Sequence, residues 1–371
     1  MKKILFVANV AKEHINKFHI PTIKEFKNRG WVVDVACAGE DEVPFCDTQF
    51  RGVWKRTPFT FDTLKGIKQL KAIISSGNYD IIYCHTPVGG LVARLASIKA
   101  RKRGTKIIYF AHGFHFFKGA PLINWLIYYP IERFLSYFTD LIFTINSEDY
   151  KNAQTKFNKN ALIKLIPGIG VDFSRLDVGE QQNIKSLYRK NLNIPENALV
   201  LIYIAELIKN KNQDMLIKAL EALRNQNINA YLLLVGPDHN NGKHQELAKN
   251  LGISEYVKLL GWRTDIGNLL YTSDICVASS IREGFGINIV EAMHCGLPVV
   301  ATNNRGHSTI INDGKNGFLV EIGDSVKMAE KIITIMENED IHNKFSNFDT
   351  TKYDCNTIAI ELVDIITNFI N

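Results

Sequence analysis

Short apolar runs alternate with longer amphipathic stretches along most of the chain. In the first half the apolar runs predict strands at Ile4–Asn9, Val32–Cys37, Ile81–Cys84, Lys106–Ala111, Leu141–Ile145 and Ile163–Ile166. Helical periodicity separates them near residues 17–29, 62–76, 88–102, 121–138 and 147–157. Each run is apolar at both alternating positions, which is typical of a parallel sheet covered by helices on both faces. The first half is therefore predicted to be a doubly wound α/β domain.

The pattern restarts after residues 167–170, a Pro-Gly-Ile-Gly break that we interpret as a linker. The second half predicts strands at Leu199–Ala205, Ala230–Val235, Val257–Leu260, Ile275–Ala278 and Val299–Ala301. Helices are predicted near residues 212–226, 243–251, 264–272, 286–295 and 325–337, with one closing amphipathic helix over 356–370. In doubly wound sheets, ligands bind beyond the carboxyl ends of the strands. Functional residues are therefore expected in the loops that follow strands.

Composition supports an ordinary globular protein and excludes disorder, collagen and a small disulfide scaffold. The 371 residues are 46% hydrophobic and 22% charged, with a formal net charge of +6. That charge is uneven. Residues 1–170 carry 25 Lys and Arg against 13 Asp and Glu, or +12, whereas residues 171–371 carry 19 against 25, or −6. The first half is expected to prefer an anionic partner.

The cysteines and the N-terminus indicate where the protein works. The six cysteines include no C-x-x-C pair, so neither a zinc site nor a disulfide framework is predicted, and a reducing cytoplasm fits best. The first ten residues lack a small-residue cleavage site and are interpreted as a strand. Uncharged stretches stay near a dozen residues, whereas a spanning helix needs roughly 20. We expect a cytoplasmic protein that is not integral to a membrane.

One segment of the second half, residues 282–292, carries the most specific chemistry. Gly284 and Gly286 precede a predicted helix, where uncovered backbone N–H groups favour a phosphate or a ring of hydroxyls. Glu283 and Glu291 are suited to neutral polyols, because ionised carboxylates accept the hydrogen bonds that sugar hydroxyls donate. A plain helix start with an exposed glutamate is the alternative.

Glu283-x7-Glu291, followed by Ala-Met-x-Cys-Gly-Leu-Pro-Val-Val-Ala-Thr, resembles the donor-site signature of family-4 retaining glycosyltransferases. The resemblance implies two Rossmann-like domains that face a central cleft (GT-B), and a nucleoside-diphosphate sugar used without a metal ion. It implies an acceptor-binding domain over 1–168, a donor-binding domain over 169–352, and a closing helix over 353–371 packed on the first domain. Glu283 would contact donor sugar hydroxyls, and Glu291 would hold the ribose. The backbone facing the sugar and diphosphate would be that of Gly284, Phe285 and Gly286.

A second segment follows the first predicted strand of the second half. A lysine in such a loop is well placed to neutralise a diphosphate. The family pattern has Gly-Arg-Leu ending in Lys, and Lys211 matches that lysine. Glu206, however, stands at the arginine position and Ala205 at the glycine position, which removes one cation from the predicted donor site. Lys209 or Arg282 could compensate, and solvated loop lysines are the alternative.

The nucleobase pocket is also predicted from the resemblance. It implies that Arg263 borders the base, often through backbone groups, and that Gly236 lies under the same pocket. Trp262 could serve as a stacking platform or pack against the neighbouring helix.

Candidate residues of the first half follow its strands. His112-Gly113 matches the family's active-site histidine, which would donate to a sugar hydroxyl or to a departing phosphate oxygen. After the first strand, Lys12 and His14 replace the glycine pair of many relatives, and we predict that they bind the acceptor, with His115. A simple helix start is the alternative for that loop.

A basic cluster, residues 99–103, lies beside an aromatic-rich segment over 114–138. Basic residues with interfacial aromatics fit a protein resting on an anionic membrane. A buried helix beside a solvated basic face is the alternative. No RNA- or DNA-binding motif accompanies the charge, so nucleic acid is not an expected partner. The family's acceptors are often polyprenyl-diphosphate-linked sugars, which also favours peripheral contact with the inner face of the cell membrane.

The predicted function is therefore a retaining glycosyltransferase of surface polysaccharide biosynthesis, resembling capsule and exopolysaccharide enzymes. No cofactor is expected, and no metal-ligating aspartate pair is evident. A nucleotide-sugar epimerase of related architecture and a non-catalytic nucleotide-sugar-binding protein remain as alternatives. A dehydrogenase is disfavoured, because no G-x-G-x-x-G follows the first strand.

Overall fold

The structure is a computed structural model that describes residues 1–54, 60–178 and 181–370. These residues divide into two units. Residues 1–170 with 352–370 form the first unit, and residues 171–351 form the second. Each unit is built on one parallel sheet covered by helices, which confirms the predicted α/β class.

The described strands of the first unit are β1 (Lys3–Val10), β2 (Val32–Ala38), β3 (Thr48–Arg51), β4 (Ile81–His85), β5 (Lys106–Ala111), β6 (Leu141–Thr144) and β7 (Leu162–Leu165). Its helices before the second unit are α1 (Ile20–Asn28), α2 (Phe61–Gly77), α3 (Pro87–Ala96), α4 (Ile98–Arg101), α5 (Leu122–Ser136) and α6 (Ser147–Lys156). The sheet order is β3-β2-β1-β4-β5-β6-β7, with parallel pairing throughout. The order reverses between β1 and β4, so a crevice is expected at the carboxyl ends of these strands.

The second unit repeats this plan, and its first α-helix is α7 (Gln181–Asn191). Its described strands are β8 (Leu199–Ile204), β9 (Ala230–Val235), β10 (Val257–Gly261), β11 (Ile275–Ala278), β12 (Val299–Thr302) and β13 (Phe318–Val320). Its further helices are α8 (Gln213–Asn225), α9 (Lys243–Asn250), α10 (Ile266–Thr272), α11 (Ile287–His294), α12 (His307–Ile310), α13 (Ser325–Glu337) and α14 (Glu339–Ser346). The sheet order is β10-β9-β8-β11-β12-β13, and it reverses between β8 and β11.

The strands form where the sequence predicts them because their side chains are buried on both faces. In β1, for example, Leu5 and Val7 join the core between the sheet and α3, and Ile4 and Phe6 are equally buried on the opposite face. The sequence pattern missed β3 and β13. Both are short edge strands, and β3 is only half-buried, so neither shows a long apolar run.

Polar side chains begin several helices. Thr60 accepts from the backbone N–H of Thr63 at the start of α2, and Asp324 accepts from that of Lys327 at α13. The last helix, α15 (Cys355–Ile370), packs against α1 within the first unit. Its Asp364 Oδ1 lies 2.6 Å from Arg29 Nη1.

Candidate active site

In the second unit, two predicted residues from distant segments meet at the point where the strand order reverses. Lys211 follows β8, and Glu283 follows β11. Their side chains form an ion pair and are only 23% and 17% exposed, respectively. Partial burial strengthens the attraction between the charges, because less water screens it. A cation and a carboxylate are therefore held side by side at the expected ligand edge of the sheet.

A short relay of hydroxyls orients the Glu283 carboxylate. Ser280 Oγ donates to Glu283 Oε1 at 2.7 Å, and the Tyr203 hydroxyl lies 2.6 Å from Ser280 Oγ. Because Ser280 uses its proton on the carboxylate, Tyr203 is the donor in the second bond. Burial raises the pKa of the Tyr203 phenol well above its ordinary value, so it keeps its proton. Sequence reasoning missed both residues, which belong to ordinary apolar or serine-containing strand ends.

Helix α11 begins at Ile287, with Gly286 as its N-cap. Gly286 has φ +118°, a conformation that favours glycine, and it has no side chain to cap the first-turn N–H groups. The positive end of the helix dipole therefore favours an anion next to Glu283 and Gly284. Arg305 reaches the same segment, since its Nε donates to the Glu283 carbonyl oxygen at 3.3 Å.

The Glu206 side chain is exposed, while its carbonyl oxygen accepts from Gln213 Nε2 at 2.9 Å. Gly236 packs directly on this loop, because an added Cβ would overlap the Ala205 carbonyl oxygen. The structure thus places Gly236 under the segment that carries Glu206, as a close backbone approach that only glycine permits.

Arg263 follows β10, and its side chain is engaged by a neighbour. Arg263 Nε lies 2.7 Å from Asp265 Oδ1, and this contact holds the pKa of the Asp265 carboxyl at about 2. The guanidinium therefore has a partner within its own loop, which leaves backbone groups as the contact that the resemblance implies for the base. Trp262 is exposed, not packed against a helix.

Glu291 lies in the middle of α11 and is buried. It forms an ion pair with Arg175, a half-exposed residue of the short helical turn over Phe173–Leu176. A cation beside a buried carboxylate offsets part of the cost of burying it. Arg175 lies outside every motif of the sequence analysis, and the packing of this turn on α11 brings it to Glu291.

A buried histidine, His307, adjoins the Lys211–Glu283 pair and was also missed. Its Nδ1 lies 2.8 Å from the Thr302 carbonyl oxygen. Its Nε2 has no hydrogen-bond partner among the residues that the structure describes. Burial, together with the charge of Lys211, lowers the pKa of His307 to about 4, although Glu283 and the hydrogen bond to Thr302 oppose this shift. His307 is therefore neutral at physiological pH.

This burial predicts acid sensitivity of the fold. The unfolded chain takes up a proton on His307 near pH 6.5, whereas the folded chain does so only near pH 4, so stability falls as the pH drops through that window. Between pH 7 and pH 5 we expect a loss of about 2 kcal/mol from this group. Urea unfolding at both pH values should show a smaller pH effect in His307→Gln than in the unchanged chain. Equal pH effects would contradict the prediction.

In the first unit, four histidines meet at the carboxyl edge of β1, β4 and β5 and form what we term the histidine cluster: His14, His19, His85 and His112. His14 lies in a single π-helical turn after β1, His19 precedes α1, His85 ends β4, and His112 follows β5. One ring nitrogen from each lies within 4.8 Å of those of the others. The cluster occupies the crevice where the strand order reverses. Of these, His14 and His112 were predicted as site residues, and His85 was not.

His14, His19 and His85 of the histidine cluster are buried, and His112 is partly buried. Burial lowers the pKa values of His19, His85 and His112 well below the ordinary value, and the mutual proximity of the rings lowers them further. Neither ring nitrogen of His85 has a hydrogen-bond partner within the described ranges. Such an unsatisfied buried group costs about 1–3 kcal/mol. Thr86, next to His85, has φ +65°, a strained conformation for a β-branched residue of the kind that collects at functional sites.

The remaining predicted residues of the first unit lie outside the histidine cluster. Lys12 is exposed on the π-helical turn that carries His14. The His115 ring instead stacks on Tyr128 of α5, with ring centroids 4.5 Å apart.

Comparisons with known proteins agree with this architecture. Residues 184–351 match the family described as glycosyl transferases group 1, and residues 3–146 match the family described as glycosyl transferase 4-like. The chain is 44% identical over 346 residues to a provisionally assigned glycosyltransferase, EpsD of Bacillus subtilis (strain 168), covering 92% of this chain and 90% of that protein.

Two further similarities span most of the chain. It is 28% identical over 313 residues to the N,N'-diacetylbacillosaminyl-diphospho-undecaprenol alpha-1,3-N-acetylgalactosaminyltransferase of Campylobacter jejuni, covering 81% of this chain and 80% of that protein. A crystal structure of Anabaena HepE in complex with UDP and glucose has the same fold, with a TM-score of 0.79 and 24% identity over 99% of this chain and 100% of that one.

Two Rossmann-like domains, each built on a parallel sheet covered by helices, are the architecture of GT-B glycosyltransferases. The chain belongs to the glycosyl transferases group 1 family, which confirms the resemblance seen in its motifs.

Proposed function

We propose that the chain transfers a sugar, with retention of configuration, from a nucleoside-diphosphate sugar to a lipid-linked glycan acceptor in surface polysaccharide biosynthesis, such as that of a capsule or exopolysaccharide. The observation that carries the proposal is the Lys211–Glu283 ion pair beside the N-terminus of α11. The names of relatives support it: one acts on a diphospho-undecaprenol-linked sugar, and the HepE structure contains UDP and glucose.

Each donor group has a distinct part in this proposal. Lys211 and the first-turn N–H groups of α11 bind the diphosphate, where negative charge grows as the donor C1–O bond breaks. Glu283 accepts hydrogen bonds from sugar hydroxyls, and Glu291 accepts them from the ribose. The acceptor oxygen bonds to C1 on the same face, and its proton passes to the departing phosphate oxygen. Nucleoside diphosphate and glycosylated acceptor are the two products.

Arg305 supplies the positive charge that is missing because Glu206 stands at the arginine position of the family pattern. Its Nε donates to the Glu283 carbonyl oxygen at 3.3 Å, and its side chain carries a permanent charge. With Lys211 it supplies two positive charges at the diphosphate, so we propose that no metal ion is needed there.

The acceptor binds to the first unit in this proposal. His112 and His14 lie at the carboxyl edge of its sheet, and Lys12 lies exposed on the same turn as His14. The excess of positive charge in this half favours an acceptor that carries phosphate.

We further propose that α5 rests on an anionic membrane. No helix in the described part of the chain is long and apolar enough to span one. Helix α5 nevertheless exposes an aliphatic stripe, in which Leu122 and Leu126 are 80% and 72% exposed and Ile123, Ile127 and Phe134 continue the same side. Apolar stripes of this kind on a protein surface mark an interaction site.

The orientation of α5 is fixed from its inner side. Glu132 faces inward and pairs with the buried Arg94 at 2.9 Å, so the aliphatic stripe cannot turn toward the core. The basic cluster adjoins the end of this helix, because Arg101 Nη1 donates to the Tyr137 carbonyl oxygen at 3.2 Å. Positive charge beside an exposed apolar stripe fits an anionic lipid surface. Trp125 and Tyr129 pack inward, so the lipid-facing groups are mainly aliphatic, whereas the sequence pointed to aromatics.

Replacing Ile123 and Leu126 together by glutamine should abolish most liposome binding. Each substitution removes an apolar side chain whose full burial is worth about 1.5–3 kcal/mol, so we expect a drop of at least about tenfold. Sedimentation with phosphatidylglycerol vesicles measures it, and Val326→Gln, an exposed apolar residue of α13, is the control. Unchanged sedimentation of the double variant would rule out α5 as the contact.

The function itself is tested by a two-stage experiment. Nucleoside diphosphates are first ranked by the rise in melting temperature that they cause, and the sugar derivatives of the best one are then supplied with a polyprenyl-diphosphate-sugar acceptor. We expect nucleoside diphosphate to be released at the full rate only when the acceptor is present. Binding without any release of nucleoside diphosphate would instead identify a non-catalytic binding protein.

A further inference from the structure

The histidine cluster is more than a set of acceptor contacts, because three strand ends of the first unit, those of β1, β4 and β5, together bring four imidazoles to one point. We propose that these four side chains, His14, His19, His85 and His112, bind one divalent transition-metal ion of the Zn²⁺, Co²⁺ or Ni²⁺ class. This inference does not rest on the proposed function, since metal binding can be measured without nucleotide or acceptor.

The spacing of the ring nitrogens fits such an ion. Zinc binds imidazole nitrogens at about 2.0–2.1 Å in a tetrahedron, which sets two ligand nitrogens about 3.4 Å apart. His14 Nε2 and His19 Nε2 already lie 3.3 Å apart. The candidate ligand atoms of all four residues lie within 4.8 Å of one another, so small ring rotations bring the rest to ligand distance.

The chemistry of the cluster selects the class of metal. Its ligands are imidazoles alone, which suit zinc, copper, nickel and iron, whereas magnesium and calcium prefer oxygen. Aromatic rings surround it: the Phe110 ring centroid lies 4.7 Å from that of His112, and the Phe6 ring stacks on His85 at 5.9 Å. These apolar rings offer the imidazoles no conventional hydrogen-bond partner.

The unpartnered nitrogens are the second observation that points to a ligand. Both ring nitrogens of His85 and Nε2 of His112 are buried, and none of them has a hydrogen-bond partner among the described residues. Buried polar atoms in folded proteins are nearly always satisfied. A metal ion accepts a lone pair from each of the four rings. Four neutral imidazoles at one point cannot all satisfy one another by hydrogen bonds. When the ion is bound, His14 and His112 act as ligands, and Lys12 remains the acceptor contact of that loop.

The test uses the full chain without an affinity tag, freed of metal by a chelator and then dialysed. Zn²⁺, Co²⁺ and Ni²⁺ are added separately, and bound metal is measured by mass spectrometry after gel filtration. We expect one ion per chain for at least one of the three, a higher melting temperature, and for Co²⁺ the intense visible absorption of a four-coordinate site. His14→Gln and His112→Gln should each weaken binding by at least about 100-fold, because each removes one of four ligands.

The variant His239→Gln distinguishes metal bound at surface histidines from metal bound in the histidine cluster. It removes an exposed histidine of the second unit and should still bind one metal ion per chain. Circular dichroism shows whether each variant folds. If a variant does not fold, the number of metal ions bound per unchanged chain tests the proposal. Less than one retained ion per chain with all three metals would overturn the proposal. An equal loss of binding in His239→Gln and His112→Gln would overturn it too.

Discussion

Replacing Lys211 by methionine should lower the rate of transfer by about 10²–10³-fold, the range seen when one group that stabilises developing charge is removed. Methionine keeps most of the side-chain length but cannot neutralise the departing diphosphate. The variant also leaves Glu283 without its cation partner, close to the leaving group. Initial rates at saturating donor measure the effect, because the loss should fall on kcat more than on KM.

A matched control comes from the same part of the chain. Lys218 is exposed on α8, a short distance after Lys211, and Lys218→Met should keep the full rate. Lys211→Arg should recover part of the lost activity, since it restores the charge but not the geometry. Full activity of Lys211→Met would show that the ion pair with Glu283 is structural and that the diphosphate is bound elsewhere.

Replacing Glu291 by glutamine should weaken nucleoside diphosphate binding by about 10–100-fold, since hydrogen bonds to a charged group are each worth about 1.5–3 kcal/mol. The carboxylate lies buried in α11, where it can accept from both ribose hydroxyls. Glutamine offers one carbonyl oxygen and no charge. Isothermal titration calorimetry gives the Kd directly, and Glu337→Gln, an exposed acid near the end of α13, should bind as the unchanged chain does.

The ion pair between Arg175 and Glu291 also affects the expected affinity for nucleoside diphosphate. Arg175 pairs with Glu291, so a nucleotide that bound Glu291 would have to share or displace that contact. Arg175→Met should therefore bind nucleoside diphosphate at least as tightly as the unchanged chain. If Glu291→Gln bound normally while Arg175→Met melted at a much lower temperature, the pair would be a structural link and not a ribose site.

Local patterns were sufficient to predict most of the fold and to place Lys211 and Glu283 at one edge of the second sheet. Lys211 and Glu283 are 72 positions apart, yet each directly follows a predicted strand of one parallel sheet, and the carboxyl ends of such strands share an edge. The glycine that begins α11 was equally visible, because Gly286 interrupts the apolar pattern just before a helical stretch.

What the sequence could not supply depends on packing between distant segments. Arg175 reaches Glu291 only because its short helical turn lies on α11, and His307 resembles any polar residue after a strand until its burial is known. In the first unit, His85 ends a strand that was predicted to stop at Cys84. Its meeting with His14 follows from the order of β1 and β4 in the sheet, which periodicity alone does not determine.

The identity of the reaction products tests the central claim most directly. The chain is incubated with its preferred nucleotide sugar and a polyprenyl-diphosphate-sugar acceptor, and the products are analysed by NMR. The account predicts equal amounts of free nucleoside diphosphate and a new glycolipid whose glycosidic bond has the anomeric configuration of the donor. Conversion of the nucleotide sugar into its epimer without acceptor, or a glycosidic bond of inverted configuration, would contradict it.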